Sequence, residues 1–135
     1  MSLDNARAAY PILVQLAREA SSAARDRRTA VWVSYDDFCM KCKDVGIKET
    51  PRTIAAKLLK PLQAACIENG HPDLSALIIA KPKARGDFGN LLRPADGWWE
   101  AYLERDGVAA GDVKFWFEKY KVARDYEGWP EAPFF

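Results

Sequence analysis

The chain has 135 residues, with 20 basic and 19 acidic side chains, 49% hydrophobic residues and 29% charged ones. That size suits one domain that buries a core without metals or disulfides, and the composition excludes disorder, collagen and low-complexity architectures. No apolar run approaches the ~20 residues that span a bilayer. Asp4, Arg7, Arg18 and Glu19 interrupt any signal-like N-terminus, so the reading is a cytoplasmic protein whose Cys39, Cys42 and Cys66 are reduced thiols.

In chain order, Asp4 is placed to cap a helix to about Ala24, with Pro11 kinking it or setting its true start. Val31-Trp32-Val33 has the β-branched and aromatic content of a short strand. Ser34 opens a second helix, with Asp37 three positions on as in a capping box, and Gly46 stops it. Thr50-Pro51 starts a third, Thr as N-cap and Pro at the first helical position, with Ile54, Leu58, Leu62 and Ala65 at helical spacing. Pro61 should bend this helix and Asn69-Gly70 ends it. Leu74 to Ala80 reads as a buried strand, and Phe88 to Leu92, beyond a turn-rich segment, as its hairpin partner. Two further helices follow, Trp98 to Arg105 and Asp112 to about Asp125, and then an irregular tail from Trp129.

Helix, short strand, helix, turn, helix and hairpin is the outline of a winged helix-turn-helix. The expected fold is therefore α+β and mainly helical: a winged-helix-like core with a small β-hairpin over residues 5–93, and a two-helix aromatic, acidic extension over 94–135.

The net charge of +1 hides a division. Residues 1–40 are neutral, residues 41–93 carry ten basic and five acidic groups, and residues 94–135 carry five basic and nine acidic. In a winged helix the third helix enters the major groove and the hairpin touches neighbouring phosphate. Arg52, Lys57 and Lys60 fall on that helix and Lys81, Lys83 and Arg85 on the wing, a layout suited to phosphate contacts. Solvation of an amphipathic helix and a loop is the plainer explanation of the same residues.

Other motifs carry less chemistry. Cys39-Met40-Lys41-Cys42, with Cys66 and His71 further on, offers the ligand types of tetrahedral zinc, but nothing loosens the helix around them and packing explains the cysteines better. Asp36 and Asp37 oppose the thiolate that a redox motif needs. His71, the one histidine, has no nucleophile signature around it and lies where an imidazole can bond the last helix carbonyls. Asp87-Phe88-Gly89 stands without the other kinase elements. No catalytic residue, metal or cofactor is expected.

Eleven of the sixteen aromatic residues lie in the last forty-two positions. Trp98–Tyr102 and Trp116–Tyr120 form i,i+4 pairs that need burial, yet the rings spread around more than one helix face. The alternative function is therefore a protein-interaction or dimerisation module using Trp98, Trp99, Trp116 and Tyr120. An acidic, aromatic extension is equally able to dock on the basic middle segment of its own chain.

Three segments carry a resemblance: Val33-Ser34-Tyr35-Asp36-Asp37-Phe38, the helix ending Leu62 through Cys66-Ile67, and Pro72-Asp73-Leu74-Ser75-Ala76-Leu77-Ile78-Ile79-Ala80-Lys81. Over about residues 30–81 the chain resembles a small bacterial and phage-borne domain with a winged-helix-like core. The resemblance implies a Pro-Gly turn after the strand, where this chain has Arg85-Gly86-Asp87-Phe88. The resemblance implies a role in mobile-element or defence biology and brings no catalytic residue. The expected function is non-catalytic binding of nucleic acid, duplex DNA first.

Overall fold

A computed structural model describes residues 3–28, 32–80 and 93–135. The elements are α1 (Asp4–Arg25), β1 (Val33–Ser34), α2 (Tyr35–Lys43), α3 (Pro51–Ile54), a π-helical turn (Ala55–Leu59), α4 (Lys60–Glu68), a 3-10 turn (Leu74–Leu77), β2 (Ile78–Ile79), a second 3-10 turn (Asp96–Trp99), α5 (Glu100–Asp106) and α6 (Val113–Asp125). The architecture is α+β and mainly helical, with one two-stranded sheet.

Helix α1 buries Ala6, Ala9, Tyr10, Leu13, Leu16 and Ala17, the stripe expected of a 3.6-residue period. Asp4 is not its cap: Leu3 holds that position without a side-chain bond, and Asp4 lies in the first turn, where a carboxylate meets the positive end of the helix dipole. The helix continues unbroken through Pro11. In α2 the Ser34 hydroxyl accepts the Asp37 N–H at 3.2 Å, as a cap should. Val31, read as part of the first strand, lies outside the described residues.

Residues 51–68 form one helical run with a wide turn inside it. Thr50 accepts the Thr53 N–H at 3.3 Å while Thr53 Oγ1 accepts the Thr50 N–H at 3.0 Å, a reciprocal cap made with a second threonine instead of an acid. Pro61 has no N–H and its ring presses on the carbonyl four residues back, so the chain relaxes into the π turn just before it. There the Lys60 N–H reaches the Ala55 carbonyl, five residues back. The extra residue lets Ile54 and Leu59 both fall on the buried side.

β1 and β2 pair in parallel, Val33 opposite Ile78 and Ser34 opposite Ile79. The strand expected over Leu74–Ala80 is shorter than its apolar run. Asp73 accepts the Ser75 N–H at 3.0 Å and winds Leu74–Leu77 into a 3-10 turn before the strand begins. The Ala80 N–H then bonds the Arg93 carbonyl at 2.8 Å in an antiparallel bridge. The expected hairpin partner, Phe88 to Leu92, lies outside the described residues.

The two helices of the extension are present, and Asp112 caps α6 by accepting the Phe115 N–H at 3.1 Å. The four rings read as a protein-contact surface do not face outward, although Phe117 of α6 is 37% exposed. Trp98, Trp99, Trp116 and Tyr120 are 6%, 0%, 1% and 4% exposed and belong to one core cluster that runs from α1 to Trp129. That correction has a physical basis, because each indole N–H finds an acceptor inside: Ser75 Oγ for Trp98, the Asp112 carbonyl for Trp99 and the Ala76 carbonyl for Trp116.

Asp73 joins the two parts of the chain. Its carboxylate, buried, accepts from Gln63 Nε2 at 2.9 Å, from the Tyr102 hydroxyl at 2.8 Å, and from the Ser75 hydroxyl and N–H. Burial pushes its carboxyl above the usual carboxylate range, against the pull of those four bonds. The irregular tail packs against α1: the Tyr10 hydroxyl donates to the Pro130 carbonyl at 2.7 Å, and its ring meets Trp129, Phe134 and Phe135 edge-on.

Candidate nucleic-acid interface

The expected nucleic-acid contacts fall on the third helix, the run 51–68, and on the wing; α2 and the connection at residues 44–50 lead into that run. Two of the cysteines shape it. The Cys39 thiol donates to the Glu49 carbonyl at 2.7 Å, and the Cys42 carbonyl accepts the N–H groups of Val45 and Ile47 at 3.1 and 3.0 Å. Ile47, buried, anchors the middle of the connection. The cysteines therefore fix where α3 starts relative to α2.

Zinc ligation has little support in this arrangement. Burial pushes the Cys42 thiol up to about 11 and the Cys66 thiol up to about 12, which opposes the thiolate that metal binding needs. The His71 ring is engaged by aromatic side chains: it stacks on Trp129 with centroids 5.8 Å apart, and Nδ1 lies 3.3 Å from the Tyr126 hydroxyl. It is the His71 backbone N–H, not the imidazole, that bonds the Cys66 carbonyl at the helix end. Among the described residues no three His, Cys, Asp or Glu side chains gather as a metal-holding group.

The cations divide into three sets. Arg52 and Lys57 are exposed on the run 51–68, and Lys41, Lys43 and Lys48 are exposed on α2 and the connection after it. None of these five forms an ion pair among the described residues. Lys43 and Lys48 flank one shallow groove whose far side is Pro51, which brings them to the start of α3. The nearby Glu49 carboxylate accepts the Thr53 hydroxyl at 2.7 Å.

Lys60 belongs to a second set. Its ammonium is paired with Glu100 of α5, so the acidic extension docks on one cation of the basic segment. Arg93 pairs with Asp96 in the same extension. Lys81, Lys83 and Arg85, the expected wing cations, form the third set and lie outside the described residues.

Reading residue types along the chain singled out the third helix and passed over Lys41, Lys43 and Lys48 as individual site residues. Their signal was present in the +5 balance of residues 41–93, but only the bend between α2 and α3 sets Lys43 and Lys48 around one groove with Pro51 at the start of α3. The Ala56 side chain, between Arg52 and Lys57 in the chain, is small and exposed. No family model matches the chain, and no curated protein or solved structure matches it significantly.

Proposed function

We propose that this chain is a non-catalytic nucleic-acid-binding protein that holds duplex DNA against α2, the following connection and the N-terminal half of the run 51–68. The observation that carries this reading is the set of five exposed cations, Lys41, Lys43, Lys48, Arg52 and Lys57, without acidic partners among the described residues. Charged side chains left unpaired around one helix–turn–helix suit phosphate oxygens. Lys81, Lys83 and Arg85, the cations of the expected wing, belong to the same reading by sequence and lie outside the described residues. The order of helix, strand, two helices and strand supports that winged-helix-like reading, while the sheet itself pairs β1 and β2 in parallel and adds only the single antiparallel Ala80–Arg93 bridge among the described residues. The same reading takes the chain to be a cytoplasmic protein of bacterial or mobile-element setting; among the described residues no helix is long and apolar enough to cross a membrane. The rival protein-contact reading through Trp98, Trp99, Trp116 and Tyr120 loses its surface to the core.

Fluorescence anisotropy with a labelled duplex of ~20 bp tests it. Binding at micromolar protein is expected at ~50 mM salt, with log affinity falling against log salt at a slope of roughly −4 to −5 for five phosphate contacts. The double substitution Arg52→Ala, Lys57→Ala should flatten that slope by about 2. A duplex that stays free at ~50 mM salt, given typical non-specific affinities, ends the proposal.

A further inference from the structure

A second polar concavity lies at the other end of the run 51–68, away from Arg52. The C-terminal turn of α4, the His71–Asp73 connection, α5 and α6 enclose a cleft of about 360 Å³, within the range of small-molecule sites. Two cations face it from different helices, Arg105 from the last turn of α5 and Lys119 from α6. Neither forms an ion pair among the described residues. Lys119 is held by ring faces instead, its Nζ 5.3 Å from the Tyr102 centroid and 5.4 Å from that of Phe115. The apolar part of the lining is Ile67, Pro72 and Val122, and Val122 remains 55% exposed, a large aliphatic side chain with nothing over it.

Two acidic residues share this lining, Asp73 and Asp106, and neither forms an ion pair with Arg105 or Lys119. Asp73 forms part of the lining, but both its oxygens are engaged by Gln63, Ser75 and Tyr102. Asp106 follows directly on Arg105 at the end of α5, and both cations are left without a partner carboxylate among the described residues.

We infer that this cleft binds a small organic oxyanion, a phosphate monoester or a carboxylate, with the charged end between Arg105 and Lys119 and an apolar group against Ile67, Pro72 and Val122. Arg supplies a planar fork for two oxygens, and Lys a point charge already positioned by the rings beneath it. The site is separate from the proposed nucleic-acid face and does not depend on it.

Titration of the full-length chain with phenyl phosphate and, in parallel, phenylacetate tests this, read by amide chemical shifts and calorimetry. Saturable shifts are expected at Gly70, His71, Arg105 and Lys119, and the tighter of the two probes tells phosphate from carboxylate. Inorganic phosphate should bind more weakly than phenyl phosphate, and benzyl alcohol should produce no saturable shift. Arg105→Ala and Lys119→Ala should each weaken the better probe about tenfold, as loss of one charge-assisted hydrogen bond does. Lys119→Met keeps the stem over Tyr102 and should weaken the probe equally while leaving the fold intact. Absence of saturable shifts up to ~10 mM of either probe overturns the inference, since that is weaker than millimolar affinity. Equal binding of benzyl alcohol, or unchanged affinity in all three variants, overturns it as well.

Discussion

Residues 41–60 and residues 94–135 are each crowded with one kind of side chain, cations in the first and aromatic rings in the second, and the fold treats them in opposite ways. The rings turn inward: Trp98, Trp99, Trp116 and Trp129 are buried, each with its indole N–H bonded to an oxygen inside the protein. An aromatic side chain can be buried whole once its single polar atom is satisfied, and it then contributes a large apolar area. A lysine or arginine cannot be buried without a partner charge, so these side chains stay outside. Crowding of aromatic residues thus marks the core of this protein, and crowding of cations marks its solvent-facing side.

The largest expected effect that tests this contrast is in the core. Trp99→Ala and Trp116→Ala should each lower unfolding free energy by about 3–5 kcal/mol in a denaturant titration. Arg52→Ala and Lys57→Ala should stay within about 0.5 kcal/mol of the parent. Comparable losses from both pairs would erase the distinction between the two regions.

Asp73 comes next. Asp73→Asn places an amide N–H₂ against donors from Ser75, Gln63 or Tyr102, and should cost about 1–3 kcal/mol for the unmatched group. The parent also carries a pH signature. The folded carboxyl is raised above its ordinary 3.8, so the folded state holds that proton longer than the unfolded chain. Its contribution is complete below pH 3.8 and is lost as pH rises through the folded value. Stability profiles of parent and variant should therefore diverge in this direction, and a variant with the same slope would show that Asp73 is not the group responsible.

The buried thiols give a third, alkaline effect of the same sign. Cys42 and Cys66 rise from 9.0 to about 11 and about 12, so stability should hold below pH 9 and fall as pH climbs through 11 to 12. Cys66→Ala should start less stable and fall less steeply over that window, measured by thermal unfolding at each pH. The smallest effect concerns the contact between the two regions. Lys60 and Glu100 are both substantially exposed, so Glu100→Gln should change stability by only about 0.2–1 kcal/mol. It should also release Lys60 toward the duplex and tighten DNA binding slightly at low salt.

Much of the helical layout was legible because caps are local. Ser34, Thr50-Pro51 and Asp112 announced α2, α3 and α6 within three residues of where each begins. What sequence reading missed depended on residues far apart. Leu74 to Ala80 looks uniformly apolar, and a buried strand and a buried turn share that appearance until Asp73 is seen holding Ser75. The parallel pairing of Val33 with Ile78 and the ion pair of Lys60 with Glu100 each join positions forty or more residues apart, beyond any local signal. The aromatic extension misled for a related reason. Its rings spread around both helices because the core reaches those helices from more than one side, with Ser75 and Ala76 accepting from Trp98 and Trp116.

Helix α1 has one further consequence, for the order in which the molecule can assemble. Its partners include α6 and the tail, and the bonds that seat it, Tyr10 to Pro130 and Ser21 to Asp125, span 120 and 104 residues. Closing so long a loop carries an entropic cost that local helix formation does not recover. The first helix of this chain should therefore form early as a helix and acquire its fixed place late, and a protease acting during refolding should find the Tyr10 face open until residues near Trp129 have docked.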